Sequence, residues 1–124
     1  MEFAGSHILS VAQFERADVE EIFAVADRMA PYAHRERVTR VLDGAILGSM
    51  FFEPSTRTRV SFGSAFNLLG GDVRETTGFE QSAIAKGESL YDTARVLSGY
   101  SDAVSYTHLT LPTNVSMCRC RGWR

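Results

Sequence analysis

Residues 45–71 read AILGSMFFEPSTRTRVSFGSAFNLLGG, and this stretch decides the fold. The run 45–52 lacks polar alternation, which is typical of a strand that is covered on both faces of a sheet. Across residues 60–69 the apolar side chains recur at helical spacing, and Gly70 and Gly71 supply a stop for that helix. The stretch therefore predicts a buried strand, a polar turn and a helix, which together form half of a βαβ unit.

The segment before this strand predicts a helix and a connection. Residues 13–29 place apolar side chains at helical spacing with acidic residues on the other face, which indicates an amphipathic surface helix. Pro31 is expected to end it, because proline cannot continue a helix. The charged residues that follow are interpreted as a connecting segment, in which Val38, Val41 and Leu42 are candidate apolar anchors.

The segment after the helix repeats the alternation of strand and helix. Residues 72–75 predict a second short strand, residues 87–100 carry apolar side chains at helical spacing, and residues 101–104 predict the start of a third strand. Short apolar strands that alternate with helices indicate an α/β fold class with a parallel sheet flanked by helices.

Composition excludes several classes of function. The formal net charge of −2 and the lack of a basic stripe argue against nucleic-acid binding. No apolar run approaches the ~20 residues that a membrane span requires, so no membrane partner is expected. The first 30 residues carry several acids rather than a basic start and an apolar stretch, which leads us to expect a cytoplasmic protein.

The polar turn between the predicted strand and helix suits an oxyanion. The first turn of a helix has N–H groups without intrahelical partners and a partial positive charge. Further donors for phosphate oxygens would come from the planar guanidinium of Arg57. Hydroxyl donors would come from Ser55, Thr56 and Thr58. The alternative is structural: serine and threonine cap many helices, and arginines lie on many solvated helix faces. Lys86, the only lysine, is equally open to an interpretation as a solvated loop charge.

These residues resemble those of a known family. The sequences FFEPSTRTRVSF, NLLGGDV and SAIAKGESLYDTARVLSGYSDA closely resemble the carbamoyl-phosphate domain of the aspartate transcarbamoylases, over roughly residues 7–103. The resemblance implies transfer of a carbamoyl group from carbamoyl phosphate to L-aspartate, which gives N-carbamoyl-L-aspartate and phosphate in pyrimidine synthesis. It implies no metal or organic cofactor. It also implies a homotrimer with shared active sites, and it leaves open whether regulatory subunits bind.

The resemblance assigns roles to particular residues. It implies that the phosphate is bound by the residues Ser55, Thr56, Arg57 and Thr58. Arg57 and Lys86 would stabilise the leaving phosphate, whereas Thr58 would lie near the carbonyl oxygen. Ser82 and Lys86 match a loop that reaches into the site of a neighbouring subunit. Glu53 would pair with arginines of a second domain when the site closes, although it also suits a loop carboxylate near a helix start.

The C-terminal tail departs from this resemblance. Residues 1–103 hold all 15 acidic residues and 10 of the 13 basic ones, whereas the tail contains three arginines, both cysteines and the only tryptophan. Thr107 falls where relatives carry an arginine that polarises the carbonyl, and Gly63 where many carry a glutamate. We therefore expect residues 1–104 to form an incomplete carbamoyl-phosphate-binding domain and residues 105–124 to be a foreign or frame-shifted tail, in a fragment without activity of its own.

Two other functions remain open at this point. An ornithine transcarbamoylase would share the phosphate turn and the DTARVLS helix, but Lys86 in KGES and the FFEP lead-in favour the aspartate enzyme. A phosphate-binding or trimer-forming module without catalysis would also fit a chain that lacks a second domain.

Overall fold

The computed structural model describes residues 1–52, 55–77, 87, 89–107 and 116–119. A short 3₁₀ turn at Val11–Gln13 precedes the main elements. In chain order these are α1 (Arg16–Ala33), β1 (Ile46–Phe51), α2 (Thr56–Leu68), β2 (Asp72–Thr77), α3 (Leu90–Tyr100), β3 (Ala103–Thr107) and β4 (Ser116–Arg119).

The described strands form a sheet in the order β2-β1-β3-β4. The pairs β1–β2 and β1–β3 are parallel, with Leu47 opposite both Val73 and Ala103, whereas β4 runs antiparallel to β3. This arrangement confirms the predicted α/β fold with a parallel sheet flanked by helices. The antiparallel strand β4 was not predicted, and the predicted boundary between residues 104 and 105 falls inside β3.

The core lies on the central strand β1, which is buried along its length. On one face of the sheet, Met50 and Val104 form a cluster with Phe52, and Ala94 and Leu97 of α3 pack against it. An apolar strand with both faces covered is what the sequence run 45–52 predicts. The strand therefore holds the turn that follows it at a fixed place.

Helix α1 differs from its predicted bounds. It begins at Arg16, where Asp18 Oδ2 accepts a hydrogen bond from the Glu15 N–H at 2.8 Å, and it continues through Pro31 to Ala33. Pro31 lies in the last turn of α1, where the helix loses one N–H donor. Only two helical residues follow it, so the cost of continuing the helix is small. The prediction that Pro31 itself ends the helix was therefore wrong by these two residues.

The connection between α1 and β1 also corrects the sequence analysis. Val38 and Val41, expected to be apolar anchors, have exposed fractions of 88% and 63%, and only Leu42 is partly buried. The segment is fixed by its backbone instead. The Leu42 N–H donates to the Leu69 carbonyl at 2.9 Å, and Arg40 packs so closely on Gly70 that a Cβ there would lie 2.7 Å from the Arg40 Cα. Gly70 has φ +97°, which is the left-handed conformation of the predicted helix stop.

Candidate functional site

The start of α2 lies at the carboxyl edge of the sheet. Strand β1 ends at Phe51, and α2 begins at Thr56 with Ser55 as its N-cap residue. Because β1 is parallel to both of its neighbours, the carboxyl ends of three strands meet at this edge. In parallel sheets this edge is where loops and helix N-termini converge on ligands.

The first turn of α2 is left open within the described chain. The Ser55 hydroxyl makes no capping hydrogen bond, and the first turn contains no acidic residue. Its N–H groups therefore keep their capacity to donate, and the helix dipole adds partial positive charge at the same point. This combination favours an anion.

The predicted phosphate-binding side chains lie together in this turn. Thr56 and Arg57 are exposed, whereas Ser55 and Thr58 are partly buried. The Ser61 hydroxyl donates a hydrogen bond to the Arg57 carbonyl at 2.7 Å. This bond involves the backbone of Arg57 and not its guanidinium group. The predicted site residues Glu53, Ser82 and Lys86 lie outside the described residues.

Helix α3 starts at the same edge but is closed by its own residues. The Ser89 hydroxyl accepts a hydrogen bond from the Asp92 N–H at 3.1 Å and donates to Asp92 Oδ2 at 2.8 Å. The carboxylate of Asp92 lies in the first turn and offsets the positive end of the helix dipole. Of these two helix starts, α2 is the one suited to an external anion.

Thr107 occupies the carboxyl end of β3, opposite Phe51 of β1. Its side chain is fully buried, and in the described part of the chain its hydroxyl has no hydrogen-bond partner. Position 107 is therefore beside the strand that leads into the polar turn. A threonine there cannot supply the positive charge that an arginine would.

An ion pair that the sequence analysis missed lies next to the open turn. Arg59 Nη1 is 3.4 Å from Glu75 Oε2, which joins the start of α2 to strand β2. The other carboxylate oxygen of Glu75 lies 3.7 Å from the point where a Cβ on Gly63 would be. No local sequence signal reveals this pair, because its partners are 16 residues apart and belong to different elements.

A cavity of about 240 Å³ lies at the opposite, amino edge of the sheet. Its lining includes Arg35, Arg37 and Arg40, and Arg40 pairs with Asp43 at 2.5 Å. This cavity is separate from the predicted anion site, since its residues precede β1 and β2 rather than follow them.

The described ranges contain neither a cluster of metal ligands nor a membrane-spanning helix. They bring together no group of three or more histidine, cysteine, aspartate or glutamate side chains that could hold a metal ion. No helix within these ranges has both the length and the apolar character needed to cross a membrane.

Sequence comparison relates the chain to one family. Residues 6–117 match the family model described as "Aspartate/ornithine carbamoyltransferase, carbamoyl-P binding domain". The aspartate carbamoyltransferase catalytic subunit of Saccharophagus degradans is 81% identical over 108 residues, which cover 87% of this chain and 32% of that protein. The corresponding subunit of Cellvibrio japonicus is 73% identical over the same coverage. The chain thus spans about a third of the length of these relatives.

Comparison with solved structures agrees with the sequence match. The catalytic subunit of M. jannaschii aspartate transcarbamoylase superposes with a TM-score of 0.77 at 40% identity, over 84% of this chain and 35% of that one. Aspartate transcarbamoylase from Trypanosoma cruzi, in complex with carbamoyl aspartate and phosphate, gives a TM-score of 0.76 at 40% identity, over 85% of this chain and 34% of that one. The fold, the polar turn and the family match agree, and the chain therefore belongs to the aspartate/ornithine carbamoyltransferase family, within its carbamoyl-phosphate-binding domain.

Proposed function

We propose that this chain is the carbamoyl-phosphate-binding part of an aspartate carbamoyltransferase catalytic chain. In the full-length protein the reaction would transfer the carbamoyl group of carbamoyl phosphate to the amine of L-aspartate, giving N-carbamoyl-L-aspartate and phosphate. The observation that carries the proposal is the uncapped first turn of α2, with Arg57 exposed beside it at the carboxyl edge of the sheet. The names of the similar proteins support the choice of aspartate over ornithine as the acceptor.

The proposed roles follow from where charge develops during the reaction. When the amine attacks the carbamoyl carbon, negative charge builds on the carbonyl oxygen and then on the departing phosphate. Fixed donors at these places lower the barrier, typically by about 3 to 4 kcal/mol for one strong oxyanion contact. Arg57 and the first-turn N–H groups would hold the phosphate with Ser55 and Thr56, and Thr58 would donate to the carbonyl oxygen. Attack also requires the amine to lose a proton, for which the departing phosphate is the proposed acceptor.

We propose that a neighbouring subunit completes the site. Strand β2 ends at Thr77 and leads into the segment that contains Ser82 and Lys86. In a homotrimer that segment would extend to the adjacent site, where Lys86 would add positive charge to the phosphate. Glu53 follows β1 and would pair with basic residues of a second domain on closure. Both roles place essential contacts outside a single copy of this chain.

The chain as it stands is proposed to bind carbamoyl phosphate without turnover. It spans about a third of the matched relatives, and the buried Thr107 supplies no positive charge at the end of β3. Binding at the first turn of α2 requires neither a second domain nor an arginine at position 107.

Calorimetric titration with inorganic phosphate and with carbamoyl phosphate tests this binding. The Arg57→Ala variant is expected to bind either anion about 10- to 100-fold more weakly than the original chain, because hydrogen bonds to charged groups contribute about 1.5 to 3 kcal/mol. Arg28→Ala is the matched control, since Arg28 is an exposed arginine on α1. If Arg57→Ala and Arg28→Ala bound phosphate as tightly as the original chain, the proposed site would be wrong.

The choice of amino-acid substrate is tested on the full-length parent protein. Its rates of carbamoyl transfer to L-aspartate and to L-ornithine are measured under the same conditions. We expect product from aspartate only, and a faster reaction with ornithine would assign the chain to the other branch of the family.

A further inference from the structure

The ion pair between Arg59 and Glu75 connects the two segments that carry the proposed site. Arg59 lies in the first turn of α2, where its N–H donates to the Ser55 carbonyl at 3.1 Å and so forms the first hydrogen bond of the helix. Glu75 lies on β2, two residues before the end of that strand. Both side chains are partly screened from water, with exposed fractions of 32% and 40%. The pair therefore spans from the start of the helix to the edge of the sheet.

The carboxylate of Glu75 also lies beside Gly63 of α2. Gly63 lies one helical turn after Arg59, it is buried, and a Cβ at this position would be 3.7 Å from Glu75 Oε1 and 3.9 Å from Val73 Cγ1. One carboxylate oxygen thus contacts the Arg59 guanidinium while the other lies over the Gly63 backbone. The Glu75 side chain is held between two successive turns of the helix.

We propose that Glu75 is a positioning residue for the anion site at the start of α2. By holding Arg59 against β2, Glu75 fixes the orientation of the first turn, which carries Arg57 and the N–H groups that would bind the anion. The inference rests on the proposed function, because it assigns Glu75 to the same phosphate-binding turn.

A positioning role and a simple effect of charge predict opposite changes in phosphate affinity when Glu75 is lost. Glu75 is a carboxylate near a site for an anion, so loss of its charge alone would strengthen phosphate binding. If Glu75 acts by positioning, its loss weakens phosphate binding, because the first-turn N–H groups and Arg57 are no longer held in a fixed position. The direction of the change in affinity therefore separates the two explanations.

The test uses the whole chain and the nearly isosteric variant Glu75→Gln. Its dissociation constant for inorganic phosphate is measured by calorimetry, and the exchange rate of the Arg59 amide hydrogen is measured by NMR. We expect phosphate binding to weaken about two- to fivefold and amide exchange to speed up by a similar factor, as suits the loss of one partly exposed ion pair. Glu20→Gln is the control, because it breaks the exposed Arg16–Glu20 pair on α1.

A rescue variant shows whether the carboxylate itself is required. In Glu75→Gln, the additional change Gly63→Glu places a carboxylate four residues after Arg59 on the same helix, where the two side chains can pair. A Cβ at position 63 would make only ordinary contacts, the nearest at 3.7 Å from Glu75 Oε1. We expect the double variant to recover phosphate affinity and slow amide exchange, whereas Gly63→Glu alone brings two carboxylates together and does not improve either.

The outcomes separate this proposal from the proposed function. Tighter phosphate binding by Glu75→Gln, or amide exchange equal to that of Glu20→Gln, would overturn the positioning role. A failure of Gly63→Glu to restore either quantity would also contradict it. If the original chain bound no phosphate, the proposed function would fail. The exchange rate of the Arg59 amide in Glu75→Gln would still show separately whether the ion pair positions the turn.

Discussion

Gly48, in the middle of β1, has almost no space around it. A Cβ at this position would lie 2.7 Å from Ser101 Oγ and 2.8 Å from Leu97 Cδ2. We expect Gly48→Ala to lower the free energy of unfolding by about 1 to 3 kcal/mol, because either α3 or β1 must shift. Urea denaturation followed by circular dichroism measures this change.

Gly99 provides the matched control. It lies within α3, and among the described residues nothing lies within 4 Å of a Cβ at this position. Gly99→Ala is therefore expected to raise the free energy of unfolding by about 0.5 to 1 kcal/mol through helix propensity. Equal effects of the two substitutions would contradict the close contact between β1 and α3.

At the scale of residues, the sequence predicts local chemistry better than distant pairing. Ser55, Arg57 and Thr58 could be placed at a helix start because the strand and helix patterns around them are continuous. The partner of Arg59 could not be predicted, since Glu75 reaches it only through the parallel pairing of β1 and β2. For the same reason the sequence could not show that Gly63 lies beside Glu75, where a Cβ would be 3.7 Å from Glu75 Oε1.

At the scale of elements, the start of α1 is stabilised by charge. The buried Asp18 carboxylate accepts hydrogen bonds from the Met1 amine and from the Glu15 N–H, and these lower the pKa of Asp18 below its ordinary value of 3.8. The hydrogen bond to Asp18 raises the pKa of the Met1 amine above 8.0. Asp18 therefore contributes stability that is present above about pH 4 and lost as pH falls through its lowered pKa. The amine contributes stability that is present below about pH 8 and lost as pH rises through its raised pKa.

Thermal melting between pH 2 and pH 10 tests this linkage. We expect Asp18→Asn to have a lower melting temperature than the original chain near pH 6, and the difference to shrink at both ends of the range. Asp27→Asn is the control, because Asp27 is an exposed aspartate on the same helix. A constant difference across all pH values would show that the amine and Asp18 are not coupled.

The elements themselves were predictable where one pattern dominates. β1, α2 and α3 follow apolar runs of strand or helix period, and the structure confirms them. The end of α1 was misplaced, because a proline in the last turn costs only one hydrogen bond. β4 was missed because its pairing with β3 depends on the sheet and not on a local pattern in residues 116–119.

At the scale of the whole molecule, the origin of the tail remains a prediction. The structure shows β3 continuing to Thr107, and the family match extends to residue 117, whereas the composition changes after residue 103. Ser105 and Thr107 are buried, and their hydroxyls lack hydrogen-bond partners in the described residues, which is an unfavourable choice for a central strand. Sequencing the source gene is expected to reveal a break in the reading frame near codon 105, and a continuous frame through codon 124 would contradict this origin.

The order of the strands has a consequence for synthesis of the chain. β1 lies between β2 and β3, and its second neighbour is encoded more than fifty residues later, since Leu47 pairs with Ala103. During translation β1 can pair with β2 early, but its other side stays open until β3 has left the ribosome. The loop that must close is long, so this pairing is a slow step. A nascent chain that pauses before β3 emerges leaves one edge of the apolar strand β1 unpaired, and such an edge is prone to aggregation.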